Sequence, residues 1–488
     1  MPVVNVSVKW GKQKYDGVQL DTNEPAAVFK AQLYTLTGVE PDRQKVMVKG
    51  GMLKDDDAWG KFDIKEGHSF MLMGTAGTLP AAPVEKPAFI EDMSEAEIAR
   101  ACCGALHNRP KLPVGLVNMG NTCYMNATVQ CLRAVPEFRQ ALERFAGGAS
   151  NDVSQAVTVA MRDLYRDLDR SGDAVQPFMF LNTLHRAVPS FAQLSQQHQL
   201  QQQDAQECWV ELLRFFGHQL PQVSSNGAIE PASQRSNFIQ QHFGGQLQAR
   251  ISNTEIPEEP SETTTESFLQ LQCHISAEVN FLSLGLRNSL TETLTKNSSS
   301  VNRDCVYRKL SQISRLPSYL TVNMVRFEWK GSSGAKILRN VKFDAYLDVF
   351  ELCTPELQER LKPMRTKFKA YDDAAIEKSR SLKNSGGVQS MDTSKDEVVQ
   401  YEPSSFEDDI GSNNSGYYEL QAVLSHKGRS ANSGHYLGWV RQNDGTWLKF
   451  DDDTVYPVNM DEVLKLSGGG DWHMGYMLLY GPRRLPKA

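Results

Sequence analysis

One cysteine occupies a position that favours reactivity. Residues 115–122 are rich in glycine and asparagine, which predicts an irregular loop, and Tyr124–Val135 has the apolar spacing of a helix. Cys123 would then begin the helix, where unpaired backbone N–H groups and the helix dipole favour a thiolate. The same N–H groups, with the side-chain amide of Asn118, could stabilise an oxyanion. The alternative is a buried structural cysteine, which is the better account of Cys131 in the same helix.

A histidine and a run of acids form a predicted hairpin near the C-terminus. A loop of serine and glycine leads into His435 and its strand, and the second strand ends in Asp451–Asp453. If the connecting loop is residues 441–445, His435 lies directly opposite Asp451, with Cβ atoms roughly 5 Å apart. A loop of even length would put Asp452 on the histidine's face instead. The hairpin therefore predicts a His–Asp pair without deciding which aspartate orients the imidazole.

These residue types together match the requirements of a thiol hydrolase. Cys123 would be the nucleophile, His435 its base, and an aspartate would hold the imidazole in the productive tautomer. About three hundred residues separate the cysteine from the histidine. Their meeting is therefore an expectation about the fold, which the pattern of residues alone does not establish.

The first 74 residues predict a compact unit of two strands, a helix and two later strands. Apolar and polar residues alternate over Val4–Trp10, and Gly38 can end the helix. The later strands are predicted at Gln44–Lys49 and Ser69–Met73. The inner face of the helix is predicted from its spacing of apolar residues: Phe29, Leu33 and Leu36.

The rest of the chain divides by composition. Residues 75–109, which begin with a stretch rich in proline and small residues, are predicted to be a linker with a short helix over Ser94–Ala105. The larger domain is predicted over residues 110–483. Two polar stretches inside it, Ile256–Glu266 and residues 379–415, have the composition of disordered surface insertions.

Composition excludes several classes of protein. The chain has 488 residues and a net charge of −6, so it lacks the basic excess of nucleic-acid binders. Its apolar runs are too short for a membrane span, and its first residues do not resemble a signal peptide. The eight cysteines include no C-x-x-C pair, which argues against both a zinc ribbon and a disulfide framework. We therefore expect a soluble intracellular protein with reduced thiols, no metal site and no cofactor.

Several segments resemble the ubiquitin-specific proteases, the papain-like cysteine hydrolases that cut after the C-terminal glycine of ubiquitin. GLVNMGNTCYMNATVQCL at 115–132 is similar to their cysteine box, and SGHYLGWVRQ with WLKFDDDTV at 433–455 is similar to their histidine box. Further similar blocks occur in the family's order: QQDAQECWVELL (202–213), RLPSYLTVNMVRF (315–327) and YMLLYGPRR (476–484). The first 74 residues resemble ubiquitin itself, but the chain continues past Gly74 and offers no free Gly-Gly terminus.

The resemblance implies an α+β fold, with an N-terminal ubiquitin-like β-grasp domain and a papain-like domain of fingers, palm and thumb. It assigns Cys123 as nucleophile, His435 as general base and Asp451 as the residue that orients the base. Asn118 falls on the oxyanion amide. Asp204 matches the acid that meets an arginine of ubiquitin's tail through a charge-assisted contact. Asp204 is also the predicted N-cap of a helix, and both roles can hold.

The resemblance also implies partners and regulation. The substrates would be ubiquitin and polyubiquitin conjugates, and the ubiquitin-like domain would dock on the regulatory particle of the 26S proteasome. The location would be cytoplasmic and also nuclear, and a loop over about residues 426–434 would cover the active site. The absence of C-x-x-C knuckles from the fingers predicts no zinc.

Two competing functions remain at this point. A non-catalytic ubiquitin receptor or proteasome scaffold would fit a ubiquitin-like module and polar insertions, but it would not need Cys123, His435 and Asp451 together. A papain-like peptidase with general substrates has no support beyond the type of its nucleophile.

Overall fold

The chain folds as two compact units, Met1–Arg109 and Pro110–Ala488, and each is described by itself. The helix expected over Ser94–Ala105 lies outside the described residues. The computed structural model describes residues 3–11, 13–49, 51–55, 57–62, 64–74, 112–148, 151–195, 197–223, 229–230, 236–298, 300–330, 333–384, 400–430, 433–470 and 472–487.

The N-terminal unit is a five-stranded sheet with one helix across it, as the alternation of its residues predicts. The strands lie in the order β2-β1-β5-β3-β4, and β1 and β5 run parallel. Val6, Val8, Phe29 and Leu33 are part of the core between helix and sheet. The elements are β1 (Val3–Trp10), β2 (Gln13–Asp21), α1 (Ala26–Thr37), β3 (Lys45–Val48), β4 (Gly51–Leu53) and β5 (Ser69–Met73).

The predicted end of helix α1 is confirmed, and one predicted core residue is wrong. Gly38 adopts φ +69°, a left-handed conformation that favours glycine, and its N–H donates to the Tyr34 carbonyl over 2.8 Å. Phe29 and Leu33 are buried, but Leu36 is largely exposed. The buried stripe of α1 is therefore narrower than the apolar spacing suggested.

The first half of the second unit is helical, and we call residues 112–243 the thumb. Its helices bury a common core that includes Leu132, Phe138 and Trp209. Asp152 and Asp204 cap two of these helices, since each side chain accepts from backbone N–H groups of the first turn. The elements are α2 (Cys123–Leu132), α3 (Pro136–Arg144), α4 (Val153–Arg170), α5 (Phe178–Ala187), α6 (Ala205–Gln219), β6 (Gln222–Val223), β7 (Ile229–Glu230) and α7 (Phe238–His242).

An eight-stranded sheet, which we call the palm, carries the C-terminal part of the unit. Seven strands lie in the order β10-β13-β21-β17-β18-β19-β20, and β16 pairs with β17. Every residue of β21 is buried, as expected for a central strand covered on both faces. The palm strands are β10 (Leu271–His274), β13 (Leu320–Val325), β16 (Tyr346–Asp348), β17 (Tyr417–Ser430), β18 (Ser433–Arg441), β19 (Trp447–Asp451), β20 (Thr454–Val458) and β21 (Met474–Pro482).

A separate four-stranded sheet forms the fingers, in the order β11-β12-β8-β9. The disorder predicted for Ile256–Glu266 is wrong. Strand β9 begins at Glu262 and pairs with β8. The Glu259 carboxylate accepts hydrogen bonds from Asn253, Ser298 and Tyr307. The remaining elements are β8 (Gly245–Asn253), β9 (Glu262–Phe268), α8 (Leu282–Ser289), β11 (Thr291–Ser298), β12 (Arg303–Arg315), β14 (Phe327–Lys330), β15 (Ser333–Lys336), α9 (Pro355–Asn384) and α10 (Met460–Leu464).

The insertion predicted over residues 379–415 is ordered at both ends. Helix α9 continues to Asn384, and residues 400–415 pack on the palm. Asn413 is fully buried and donates from its side-chain amide to the Tyr417 carbonyl over 3.0 Å. The central residues 385–399 lie outside the described chain. The unit also extends past the predicted boundary at 483, because Leu485 is buried and accepts from the N–H of Glu402.

Arg326 connects the palm to the β14–β15 hairpin. Its guanidinium is fully buried and donates to four backbone carbonyls, which belong to Ile337, Arg339, Ser467 and Gly475, at 2.8–3.3 Å. A planar guanidinium with five donors can satisfy all four oxygens at once, whereas an ammonium is a compact group on a flexible stem. Arg326 therefore joins the residues that follow β15 to strand β21 and to Ser467 in the segment before that strand.

Arg326→Lys should destabilise the protein without altering its surface. Lysine cannot reach all four carbonyls, and each buried carbonyl left unpaired costs about 1–3 kcal/mol. We expect the free energy of unfolding in urea to fall by about 3 kcal/mol. Arg360→Lys, at an exposed ion pair with Asp408, is the matched control and should change it by less than about 0.5 kcal/mol. Equal stability of the two variants would contradict this role of Arg326.

Candidate active site

Cys123 is the first residue of α2, at the junction that the sequence predicts. The loop before it turns sharply, with φ +101° at Gly120 and φ +52° at Asn121. The side-chain oxygen of Asn118 accepts from the N–H groups of Gly120 and Thr122, which holds this loop in place. The first N–H groups of a helix have no carbonyl partner within the helix. Because Thr122 donates to Asn118 and Met125 donates to the Thr122 carbonyl, the N–H groups of Cys123 and Tyr124 are the ones left for a group bound beside Cys123.

Asn118 lies near the nucleophile and is itself held in position. Its Nδ2 donates to the Asp452 carboxylate over 2.9 Å. The amide nitrogen carries two hydrogens, so one of them remains for a further acceptor. Its location is compatible with the oxyanion role that the resemblance implies.

His435 lies on β18 and reaches Asp451 on β19, although the register differs from the prediction. The loop of the hairpin is residues 442–446 and not 441–445, and Val440 lies opposite Leu448. The pairing is shifted by two residues, and a shift of two keeps every side chain on the same face. His435 Nε2 and Asp451 Oδ1 are 2.7 Å apart. The predicted His–Asp pair is therefore present, as a diagonal neighbour in the hairpin.

Asp452 is farther from the imidazole and makes different contacts. Its nearest carboxylate oxygen is 4.0 Å from His435 Nε2. Besides Asn118, Asp452 accepts from Asn126 Nδ2 over 2.8 Å, and its backbone carbonyl accepts from the N–H of Leu116. It adopts φ +50°, an uncommon conformation for a residue other than glycine. Asp452 thus joins the nucleophile's loop and helix to the hairpin that carries His435.

Two glycines permit the close approach of these elements. A Cβ at Gly115 would lie 2.3 Å from the Asp452 carbonyl oxygen, so only glycine fits there. On β18, a Cβ at Gly438 would lie 3.3 Å from the carbonyl oxygen of Ala127 in α2. The helix that bears Cys123 and the strand that bears His435 therefore pack directly against each other.

The cysteine and the histidine meet. Contact with Cys123 is the main cause that raises the pKa of His435 from its usual 6.5 to about 9, opposed by burial and supported by the hydrogen bond with Asp451. Because Nε2 is engaged with Asp451, Nδ1 is the nitrogen that faces the sulfur. The imidazole thus lies between the sulfur and a carboxylate, and both contacts favour its protonated form.

Asp204 is both a helix cap and a neighbour of strand β18, which carries His435. One carboxylate oxygen accepts from the N–H groups of Gln206 and Glu207, which confirms the predicted N-cap. The other accepts from the Tyr476 hydroxyl over 2.7 Å. Burial and then the charge of Asp204 raise the pKa of Tyr436, the residue after His435, well above its usual value. The negative charge of Asp204 therefore lies beside strand β18.

An aromatic cluster lines this side of the site. Ring centroids are 4.5 Å apart for His426 and Tyr436, 5.4 Å for Phe327 and Tyr476, and 5.5 Å for Phe327 and His426. Burial lowers the pKa of His426 to about 3, and its Nδ1 is 3.1 Å from the buried Lys336 ammonium. Since Lys336 can only donate, the neutral His426 carries its proton on Nε2.

Gln202 Nε2 is buried and has no hydrogen-bond partner among the described residues, whereas His426 and Tyr436 each bond to a backbone group, of Ser433 and Ala205 respectively. Unpaired buried donors are costly, so such atoms suit a site that a bound peptide completes. Sequence reasoning missed the contributions of His426, Asn126 and Asp452. A polar residue three positions after a nucleophile, as Asn126 is, was the available signal.

The segment predicted to cover the site is largely β-hairpin. Strand β17 continues to Ser430, β18 begins at Ser433, and these two residues pair with each other. Lys427 lies opposite His435, so the predicted loop 426–434 is mostly part of the palm sheet.

One group of side chains at the site lies close enough together to be considered as a metal site. Within the part of the chain that the structure describes, one group of side chains has the spacing of metal ligands, namely His435, Asp451 and Asp452. Each of them already bonds to a protein group, so hydrogen bonding accounts for their approach. No described helix is both long enough and apolar enough to cross a membrane.

Comparison with known proteins is consistent with this geometry. The model of the family described as ubiquitin carboxyl-terminal hydrolase matches residues 114–480, and that of the ubiquitin family matches residues 4–77. Ubiquitin carboxyl-terminal hydrolase 6 of Arabidopsis thaliana is 43% identical, with 98% of each chain covered. Ubiquitin carboxyl-terminal hydrolase 14 of Caenorhabditis elegans is 40% identical, with 99% of this chain and 94% of the relative covered.

A solved structure shares the fold. The SAGA Ubp8/Sgf11/Sus1/Sgf73 DUB module bound to ubiquitin aldehyde contains a chain that matches with a TM-score of 0.52 and 20% identity, over 80% of this chain and 74% of that one. The fold is therefore that of a ubiquitin-specific protease preceded by a ubiquitin-like domain. By the match of its family model and by its full-length relatives, this chain belongs to the ubiquitin carboxyl-terminal hydrolases, the thiol-dependent deubiquitinating enzymes.

Proposed function

We propose that Cys123, His435 and Asp451 form the catalytic triad of this deubiquitinating enzyme. The observation that carries the proposal is the position of the His435 imidazole, in contact with the Cys123 thiol and 2.7 Å from Asp451. A cysteine activated by an imidazole, which a third group orients, has the arrangement required of a thiol nucleophile.

The reaction would hydrolyse the isopeptide bond between ubiquitin's C-terminal glycine and a lysine of the conjugate. The Cys123 thiolate adds to the glycine carbonyl, and the N–H groups at the start of α2 and the Asn118 amide donate to the oxyanion. The protonated His435 gives its proton to the departing lysine amine. Water, deprotonated by His435, then cleaves the thioester and releases ubiquitin with a free carboxylate.

The approach to Cys123 suits a narrow, glycine-ended peptide. Phe327, His426, Tyr436 and Tyr476 crowd one side of the site. We infer that Asp204, whose charge lies beside Tyr436, meets an arginine of ubiquitin's tail. A side chain larger than glycine next to the scissile bond would collide with the aromatic cluster.

We further infer that the enzyme acts on proteasome-bound conjugates, recycles ubiquitin and thereby regulates degradation. The ubiquitin-like unit would dock on the regulatory particle of the 26S proteasome, and the protein would work in the cytoplasm and also in the nucleus. The N-terminal match to the ubiquitin family and the family resemblance of the sequence support this inference. A non-catalytic scaffold is the competing function, and the assembled Cys123–His435–Asp451 contacts argue against it.

Replacement of the nucleophile separates the two functions. Cys123→Ala should lower kcat/KM for a fluorogenic amide of ubiquitin by a factor of about 10⁴ or more, because covalent catalysis is lost. Binding of the full chain to purified proteasomes should be unchanged. Cys131→Ala is the matched control, since Cys131 is a buried thiol eight residues along the same helix, and it should retain activity. Retained activity in Cys123→Ala would refute the proposed nucleophile.

Substitution of Asp451 and substitution of Asp452 should both lower kcat, but for different reasons. Asp451→Asn removes the carboxylate that orients His435, so kcat should fall by about 100-fold. Asp452→Asn should also lower kcat, because the contacts with Asn118 and Asn126 change, yet it should shift the titration of His435 less than Asp451→Asn does, because Asp452 supports the raised pKa by its charge alone and not by a hydrogen bond. The measurement is the pH profile of kcat/KM for each variant. A shifted profile in Asp452→Asn and an unshifted one in Asp451→Asn would reverse the two assignments.

The pH profile itself follows from the raised pKa of His435. The imidazole must carry a proton to protonate the leaving amine, so kcat/KM should decline as the pH rises through about 9. Because the hydrogen bond with Asp451 helps to raise this pKa, Asp451→Asn should move the alkaline decline to lower pH. An alkaline limb at the same pH in both proteins would show that Asp451 does not act on His435.

A further inference from the structure

Four methionines form an exposed row on the sheet of the N-terminal unit. Met52 on β4 lies opposite Met47 on β3, and Met47 lies opposite Met71 on β5. Met73 follows two residues after Met71 and points to the same face. Their exposed fractions are 50%, 46%, 48% and 46%, in the order Met52, Met47, Met71 and Met73.

Lysines border this row, which we call the methionine face. Lys9 on β1 lies opposite Met71, and Lys45 on β3 lies opposite Met73. An apolar surface with cations at its edge complements an apolar partner surface that carries carboxylates. Thioethers are polarizable and flexible, so they adapt well to such a partner.

The exposure of these sulfurs contrasts with that of methionines in the second unit. Met125, Met161, Met324 and Met477 are almost completely buried in the thumb and the palm. Oxidation of methionine requires access of an oxidant to the sulfur lone pair. A diffusible peroxide should therefore reach the methionine face long before it reaches these buried side chains.

We propose that the methionine face is a site of reversible oxidation by hydrogen peroxide, which releases the ubiquitin-like unit from its partner. A sulfur lone pair attacks one peroxide oxygen, the O–O bond breaks and a sulfoxide S–O bond forms. Sulfur loses two electrons, and the other peroxide oxygen leaves as water after proton transfer. The inference rests on the proposed docking of this unit on the proteasome regulatory particle.

The chemistry of the product explains the release. A sulfoxide is polar and a strong hydrogen-bond acceptor. Burial of a sulfoxide in an interface without a hydrogen-bond donor therefore costs desolvation free energy and weakens binding. Met47 and Met71 are cross-strand neighbours, so their oxidation changes adjacent parts of one contact surface. Methionine sulfoxide reductases can reverse the change, and the catalytic unit keeps its buried thioethers intact.

The first measurement concerns the modification alone. The full chain is treated with dilute peroxide, and sulfoxides are quantified by peptide mass spectrometry over time. Met47, Met52, Met71 and Met73 should be oxidised at least tenfold faster than buried methionines such as Met125. Equal rates would overturn the proposed site, whatever the partner of this unit.

The second measurement concerns docking and uses full-length Cys123→Ala, so that oxidation of the nucleophile has no influence. Peroxide treatment should weaken binding to immobilised proteasome regulatory particles by about tenfold or more, and methionine sulfoxide reductases should restore it. A chain with Met47→Leu, Met52→Leu, Met71→Leu and Met73→Leu should bind like its parent and resist peroxide. Leucine keeps the apolar volume and removes the oxidisable sulfur.

A matched control uses Met179, a lone methionine on α5 with 73% of its surface exposed. Met179→Leu should remain as sensitive to peroxide as its parent. Undiminished binding after oxidation, or equal loss of binding in the four-leucine chain, would overturn the proposal. A chain that fails to bind before any treatment would instead overturn the proposed docking, and the oxidation rates would still decide the modification site.

Discussion

The contact between the Cys123 thiol and the His435 imidazole is the interaction on which the proposed chemistry of this protein depends. The two residues come from elements of different kinds, the first turn of a thumb helix and a strand of the palm. Neither element holds the pair alone. Asp452 connects them, because its carboxylate accepts from Asn118 and Asn126 around the nucleophile while its backbone lies in the histidine's hairpin.

Asp451 and Asp452 are consecutive residues, yet their side chains make different contacts. Asp451 is paired with His435 and raises its pKa, whereas Asp452 is paired with amides and positions the loop before α2. Asp452 adopts a left-handed conformation, and its carboxylate lies 4.0 Å from His435 Nε2 while it bonds to Asn118 and Asn126. A run of like residues at the end of a strand is often a solvated turn, but here each of these two has separate partners.

The two units differ in how they use apolar side chains. In the catalytic unit, apolar residues fill the thumb and palm cores, and the buried Arg326 is matched to four carbonyls. The N-terminal unit has a small core beneath α1 and leaves a row of methionines on the outer face of its sheet. The first arrangement suits preorganised chemistry, and the second suits contact with another surface.

Local signals predicted much of this arrangement, and contacts between distant residues explain what they missed. The loop-to-helix junction at Cys123 and the end of α1 at Gly38 depend on residues close in sequence, and both were predicted. The predicted hairpin loop length of five residues was right, but the register was wrong by two residues, because strand β18 continues to Arg441 and β19 begins one residue later, at the buried Trp447. The polar stretch 256–266 was predicted to be disordered because its partners, such as Tyr307 for Glu259, lie far along the chain.

The most direct test of the central contact is the titration of His435 by NMR in protein with isotope-labelled histidine. The free enzyme should show an imidazole with a pKa near 9. In Cys123→Ala that pKa should fall, because the main cause of the increase is removed while burial, which lowers it, remains. An imidazole that titrates at the same pH in both proteins would contradict the account.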